Sequence, residues 1–234
     1  TEGASEVCLV VEQDVMACRS RNVVARIEGT DKKDEILTIT AHYDSVPEGP
    51  GAYDNMAGAA IIMELCRYFQ QYRPRRTMEF VWFGAEEKGL LGSRDYIRVH
   101  ESELGAHRFN MNVDLAGQLI GGNVLGVTGE ASVCDKLLEI ADGAGIGASV
   151  KNQIWGSDSN SFAWKGIPAM TLNRDGFGMH TRYDTIDLLS AWSLERSAIL
   201  LGCIADALGN AEVFPFERKM PEKFIGELDE YMCR

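Results

Sequence analysis

The stretch E-I-L-T-I-T-A-H-Y-D-S, residues 35–45, decides the fold. It alternates, turns apolar as a strand entering a core does, and ends on His42 and Asp44. Outward from it, 7–11 and 23–27 read as strands on the N-terminal side. On the other side, 55–72 is long and apolar-periodic, with Met56, Ala60 and Met63 on successive turns and Pro74 after its end, so it reads as a helix. Residues 78–83 read as a second core strand, 90–99 as a helix and 111–115 as a short strand. Then come a helix at 133–141, a strand at 148–154, a short helix at 159–164 and a strand at 169–172. A long helix at 193–208 and an amphipathic helix at 221–232 close the chain. Strands alternating with helices predict a three-layer α/β/α sandwich around a central mixed, mostly parallel sheet.

The bulk properties agree. With 234 residues, 45% hydrophobic and 25% charged, the composition is that of a globular domain with a full core. A single catalytic domain over 1–234 is expected. Since the chain begins at Thr1, some N-terminal sequence is expected to be missing. Acidic residues number 35 against 23 basic ones, a net charge of -12, and no basic face shows, which argues against binding a phosphate backbone. No apolar run approaches the roughly 20 residues of a membrane span. The six cysteines form no C-x-x-C pair, which removes zinc-ribbon and thioredoxin readings.

In such sheets ligands collect beyond the carboxyl ends of the strands. The first core strand is followed by His42-Tyr43-Asp44, the second by Gly84-Ala85-Glu86-Glu87, and the strand near 111 by Asp114. Asp54 precedes the long helix, and His180 follows a glycine-rich loop after the strand at 169–172. So many carboxylates on one rim repel one another unless a cation neutralises them. Two histidines among carboxylates suit zinc or another borderline divalent metal. His42 and Asp44 lie two apart on a strand end, so both can face one side and the Asp44 carboxylate can hydrogen-bond the outer imidazole nitrogen. Glu86 and Glu87 point apart on an extended backbone, so one can ligate while the other stays free as a base.

The motifs T-A-H-Y-D-S, G-A-Y-D-N-M-A-G, G-A-E-E-K-G-L-L-G-S, N-V-D-L-A-G and M-H-T-R-Y-D-T resemble, in order and roughly in spacing, those of the co-catalytic two-zinc aminopeptidases. That family also holds glutamate carboxypeptidases and glutaminyl cyclases. The resemblance runs from about residue 22 to about residue 208. It implies two zinc ions bridged by Asp54, with His42 and Asp114 completing one site and Glu87 and His180 the other. It implies Glu86 as general base, a cis Asp54–Asn55 peptide, and peptide substrates with a free N-terminus. Its members also leave open a carboxypeptidase, for which Arg174 and Arg182 flank the second metal histidine, a glutaminyl cyclase, or a non-catalytic binding relative. In one place the chain departs from the family: Met179 stands where many relatives carry an aromatic residue, often Tyr.

Trp155, Phe162, Phe177 and Met179 lie in segments leading to His180 and are expected to line an apolar substrate pocket. Asp158 reads as a helix cap or a substrate contact, and Asp184 as a turn residue or a support for a ligand. His100 and His107 read as solvated surface. Gly143–Ala148 fits a dinucleotide fingerprint but follows a helix instead of a strand, and Gly121 and Gly126 have phosphate-loop spacing with Val127 where lysine is required.

Overall fold

The computed structural model describes residues 7–14 and 16–233. Residues 7–11 are exposed and form no strand, unlike the sequence expectation. The chain then runs β1 (Val23–Ile27), β2 (Lys32–His42), α1 (Ala57–Gln71), β3 (Arg76–Phe83), α2 (Leu91–Val99), β4 (His107–Val113) and β5 (Asn123–Thr128). It continues through α3 (Ala131–Gly143), β6 (Ala148–Asn152), α4 (Ser159–Trp164), β7 (Ala169–Arg174), α5 (Ala191–Asn210) and α6 (Glu222–Met232).

One seven-stranded sheet has the order β1-β3-β2-β4-β7-β5-β6. The central four strands, β3-β2-β4-β7, are mutually parallel, whereas β1 and β5 pair antiparallel with β3 and β7. Four consecutive carboxyl ends therefore share one rim. Register aligns them: His42 stands opposite Phe83, and Val113 opposite Leu172.

Helices α1, α3 and α5 pack together on one face, and α2, α4 and α6 on the other, which makes the three layers. Ile39, Phe80, Met111 and Leu125 meet Ile62, Phe69 and Leu200 on the first face. Val81 and Phe83 meet Tyr96, Ile97 and Phe162 on the second. Because β3 is covered on both sides it reads as an almost continuous apolar run, and each such side chain contributes roughly 1.5–3 kcal/mol of burial.

Strand β5 has no counterpart among the sequence-predicted elements. Gly126 interrupts its apolar run. A Cβ there would lie 2.7 Å from the Trp155 ring, so the glycine makes room for that indole. The second-face side chains of β2 and β4 include a polar ladder. Thr40 Oγ1 donates to Asn112 Oδ1 (2.8 Å), Asn112 Nδ2 to Ser157 Oγ (2.7 Å), and Ser157 Oγ to Asp114 Oδ2 (2.6 Å). Every link is satisfied, so these polar groups sit in the core without a desolvation penalty left open.

His107 is buried at the start of β4, not solvated, with Nδ1 2.6 Å from Thr38 Oγ1. A strand paired on its other residues carries it inside. Burial pushes its pKa down to about 4, with Arg26, Arg218 and His100 adding to the effect. The unfolded chain takes up this proton near 6.5 and the folded chain only near 4. This group's contribution is thus whole above pH 6.5 and is lost as pH falls towards about 4, by at most ~3 kcal/mol. Thermal unfolding against pH should therefore be steeper for the unmodified protein than for His107→Gln across that window, and equal slopes would remove His107 from the account.

Candidate metal centre

Each ligand candidate arrives from one of the four parallel strand ends or from the turn into α1. His42 is the last residue of β2, and Asp114 directly follows β4. After β3, Ala85 takes a left-handed φ of 60° and turns the chain so that Glu86 and Glu87 enter a short helical turn, Glu86–Lys88. Asp54 lies in the turn before α1, joined to Asn55 by a cis peptide bond. His180 itself has a φ of 57°, a conformation non-glycine residues seldom adopt.

The five residues form two clusters that share Asp54, His42–Asp54–Asp114 and Asp54–Glu87–His180, and Glu86 lies close enough to form a third group with His42 and Glu87. Asp54 Oδ1 is 3.2 Å from His42 Nε2, and Asp114 Oδ1 is 3.3 Å from the same nitrogen. Asp54 Oδ2 is 3.0 Å from His180 Nε2, and Glu87 Oε2 is 3.3 Å from it. Two donors bound to one zinc at about 2.0–2.2 Å in tetrahedral directions stand roughly 3.3–3.6 Å apart. Both clusters thus have the spacing of ligands round a common cation. Glu87 also carries a buried oxygen, Oε1, with no hydrogen-bond partner. The donor set of imidazoles and carboxylates fits zinc.

The charge balance of the residues points the same way. Burial alone would lower the His42 pKa, but the carboxylates of Asp114, Asp44 and Asp54 override it and hold the imidazole protonated well above 6.5. Burial raises Glu86 to about 9; His42 opposes this, and Asp158, Asp114 and Glu87 add to it. Burial likewise raises Glu87, with Asp54 adding to the shift. The cluster draws in positive charge, as a proton or as a metal.

Other groups hold the ligands in place. The outer nitrogen of His42 is hydrogen-bonded to the Asp44 carbonyl oxygen at 3.1 Å, while the Asp44 carboxylate is 3.6 Å away. That carboxylate accepts the backbone N–H groups of Glu86 (3.0 Å) and Glu87 (3.3 Å), so Asp44 ties the glutamate turn to the histidine strand. Asp184 accepts the N–H groups of Tyr53 (2.6 Å) and Asp54 (3.0 Å). Asn55 accepts from Gly58 (3.2 Å) and Leu115 (3.3 Å) and donates to the Val113 carbonyl (2.8 Å). Ser157 fixes Asp114, a role that nothing in the motifs signals.

A cavity of about 360 Å³ opens over the cluster, walled by Leu90, Leu115, Trp155, Met179 and Tyr231 besides Asp54, Glu87, Asp114, His180 and Glu86. Of the expected pocket residues, Trp155 and Met179 are on this wall. Phe162 instead lies in the second-face core against Phe83 and Tyr96, because the periodicity of α4 turns it inward. Phe177 points to solvent from its loop, off the cavity lining. Asp158 occupies the cap position of α4 but makes no capping hydrogen bond. It is fully buried, and burial raises its pKa to about 7, with His42 opposing and Asp114 and Asp44 adding. Tyr53 is buried with its hydroxyl on the Arg174 carbonyl, and Tyr183 is exposed and stacked under Arg182, so neither faces the cavity. Tyr231 was not among the sequence candidates, since an amphipathic terminal helix carries no motif.

Residues 22–202 match peptidase family M28. Aminopeptidase YwaD of Bacillus subtilis is 30% identical over 161 residues, which are 68% of this chain and 32% of that protein. Carboxypeptidase Q of Rattus norvegicus is 26% identical over 200 residues, 82% of this chain and 42% of that protein. Among solved structures, a peptidase M28 precursor from Shewanella amazonensis superposes with a TM-score of 0.73 at 31% identity, over 86% of this chain and 46% of that one. A zinc aminopeptidase from Bacillus subtilis gives a TM-score of 0.74 at 26% identity, over 86% and 53% of the two chains. The chain thus spans about a third to about a half of the length of these relatives. No helix among the described residues is long and apolar enough to cross a membrane.

The Asp184 contacts give a test that needs no substrate. Asp184→Asn keeps one acceptor for the turn that carries Asp54 and removes the second carboxylate oxygen. Supporting groups of this kind typically change metal affinity 10–100-fold. Chelator competition should show a loss in that range with the circular dichroism spectrum unchanged. Retention equal to that of the unmodified protein would mean that Asp54 is held by other contacts.

Proposed function

The chain belongs to peptidase family M28, and from that premise we propose that it is a zinc-dependent exopeptidase removing the first residue of peptides with a free N-terminus. The observation that carries the proposal is the position of Asp54, whose two oxygens face two separate histidine–carboxylate pairs. On this reading Asp54 would be shared by two zinc ions, His42 and Asp114 would complete one site, and Glu87 and His180 would complete the other. So held, the ions would supply Lewis acidity to a bound water and a substrate carbonyl.

Glu86 is the general base. It shares the cavity with the ligands, and its backbone N–H is fixed by Asp44. It takes the proton of the attacking water and hands it to the leaving amine. Burial raises Glu86 in the cluster of residues alone; cations on the neighbouring carboxylates would bring it back down towards the neutral range that a base needs.

Recognition of a free N-terminus is supported by the charge of the wall. Among the described residues on the cavity wall Asp54, Glu86, Glu87 and Asp114 are acidic and none is Lys or Arg. Two zinc ions would take up the charge of Asp54, Glu87 and Asp114, which leaves Glu86 as the group that attracts a substrate α-ammonium. The two arginines that a carboxypeptidase would need are otherwise placed. Arg174 is buried with its guanidinium on the carbonyls of Gln118 (2.6 Å) and Leu119 (3.1 Å), and Arg182 is exposed, its guanidinium 4.8 Å from the centre of the Tyr183 ring. Leu90, Leu115, Trp155 and Met179 favour an apolar first side chain.

Free and N-acetylated dipeptides, assayed after chelation and zinc add-back, test the substrate class. Free-amine dipeptides with leucine or phenylalanine first should be cleaved and the acetylated forms spared; the reverse pattern overturns the aminopeptidase reading. The division between the two glutamates is read on single samples for both metal content and turnover. Glu86→Gln should keep about two metals per chain and lose 10²–10⁴-fold in turnover, whereas Glu87→Ala should keep about one. A Glu86→Gln protein of near-normal turnover, or one that loses metal, would exchange or abolish these roles.

A further inference from the structure

Helix α6 lies outside the residues matched by the family, 22–202, yet it reaches the cavity. Phe224 and Leu228 on its apolar stripe pack against Ala163 of α4 and Ala169 of β7. The Trp164 indole donates to Asp229 at 2.8 Å, and Lys223 bonds the Asn152 side chain. These contacts fix the helix from its first turn to its last. Tyr231, three residues beyond Leu228, falls on the same side one turn later. There the α4 surface ends and the ring joins the wall of the cavity with Glu86, Glu87, Asp114 and His180. Gly156 lies beside it: a Cβ at that position would be in ordinary contact with the Tyr231 hydroxyl, at 3.4 Å.

The wall is rich in groups that only accept hydrogen bonds. Asp54, Glu86, Glu87 and Asp114 offer no proton as carboxylates, whereas the carbonyl oxygen of a peptide needs a donor. Of the neutral side-chain donors on the wall, the Asn173 amide is engaged with the Asp114 carbonyl at 3.0 Å. That leaves the Trp155 N–H and the Tyr231 hydroxyl, and the hydroxyl lies beside Gly156, itself part of the wall. Burial holds this phenol above its ordinary pKa of 10.0; the Glu86 charge adds to the shift, Arg94 opposes it, and Asp158 and Asp114 add further. The hydroxyl therefore keeps its proton throughout the neutral range.

We infer that Tyr231 is a substrate-contacting residue of this site, its hydroxyl donating a hydrogen bond to the carbonyl oxygen of the bound peptide. The inference rests on the exopeptidase reading in requiring a peptide in the cavity, but not on which end of the peptide is recognised. A donor aimed where charge grows in the transition state acts on turnover more than on ground-state binding.

The test compares Tyr231→Phe and Tyr231→Ala with the unmodified protein, all zinc-loaded. The substrates are leucyl, N-acetyl-leucyl and N-terminal glutaminyl dipeptides. Phenylalanine keeps the ring and its packing, so a merely structural tyrosine would leave kcat and KM unchanged. For whichever substrate the unmodified protein turns over, Tyr231→Phe should lower kcat at least tenfold with KM within about threefold. Tyr231→Ala should lower kcat as much and raise KM as well, through loss of the wall. Metal content and unfolding temperature of Tyr231→Phe should match the unmodified protein. Turnover of Tyr231→Phe within twofold of normal overturns the inference and leaves the exopeptidase reading standing. A substrate preference other than leucyl overturns the aminopeptidase reading while the Phe-to-Tyr ratio still decides the role of Tyr231. An unmodified protein inert on all three overturns both.

Discussion

The constraint on which this structure depends is the crowding of negative charge at one rim of a parallel sheet. Asp54, Glu86, Glu87 and Asp114 converge with the His180 imidazole on a cavity of about 360 Å³, and His42 lies buried behind Asp54 and Asp114. Four ionised carboxylates at such range are not a stable arrangement by themselves. The residues answer by raising the pKa values of Glu86, Glu87 and His42, so that protons take the place of part of the missing positive charge. A divalent cation meets the same demand with fixed geometry. The two-cluster layout round Asp54 fits that demand.

Holding such a cluster open against its own repulsion needs a rigid frame. The frame is the four-strand parallel core, fully buried on both faces, with the hydrogen-bonded ladder from Thr40 to Ser157 leading to Asp114. Two further carboxylates, Asp44 and Asp184, are not among the ligand candidates. They gather backbone N–H groups instead and so set the angles at which Glu86, Glu87 and Asp54 leave the backbone. Left-handed φ values at Ala85, Leu115 and His180 show what this convergence demands of the chain. Each non-glycine residue held in that region costs of order 1–3 kcal/mol, and all three lie at or next to a ligand or the base.

Much of this was legible in the sequence because the rim is encoded locally. A strand pattern followed at once by His, Asp or Glu names both the element and what it delivers, as with His42, Glu86 and Asp114. The three-layer sandwich is legible for the same reason, through alternating periods. What escaped depends on contacts between distant segments. Strand β5 is masked by Gly126, whose reason is the Trp155 ring on another segment. Phe162 and Phe177 are apolar and near His180 in sequence, but one is turned into the core by its helix and the other outward by its loop. His107 looks polar and solvated until strand pairing carries it inside. Asp44 acts through its carboxylate on the glutamate turn more than on His42, since which of its groups faces the imidazole is a matter of ångströms.

The origins of ligands and walls differ, and the difference bears on what the site can vary. Every metal-ligand candidate comes from a central strand end or from the turns beside it, where a shift of one residue would destroy both core and cluster. Other groups of the cavity wall come from elsewhere: Trp155 from the connection after β6, Met179 from the loop before His180, and Tyr231 from α6, beyond the family match. These segments lean on the α4 side of the molecule and can change without moving the sheet. Chemistry fixed by the frame and selectivity carried by peripheral segments is the division expected when one fold serves several reactions. It also explains why similarity to aminopeptidases and to a carboxypeptidase can coexist in one set of relatives.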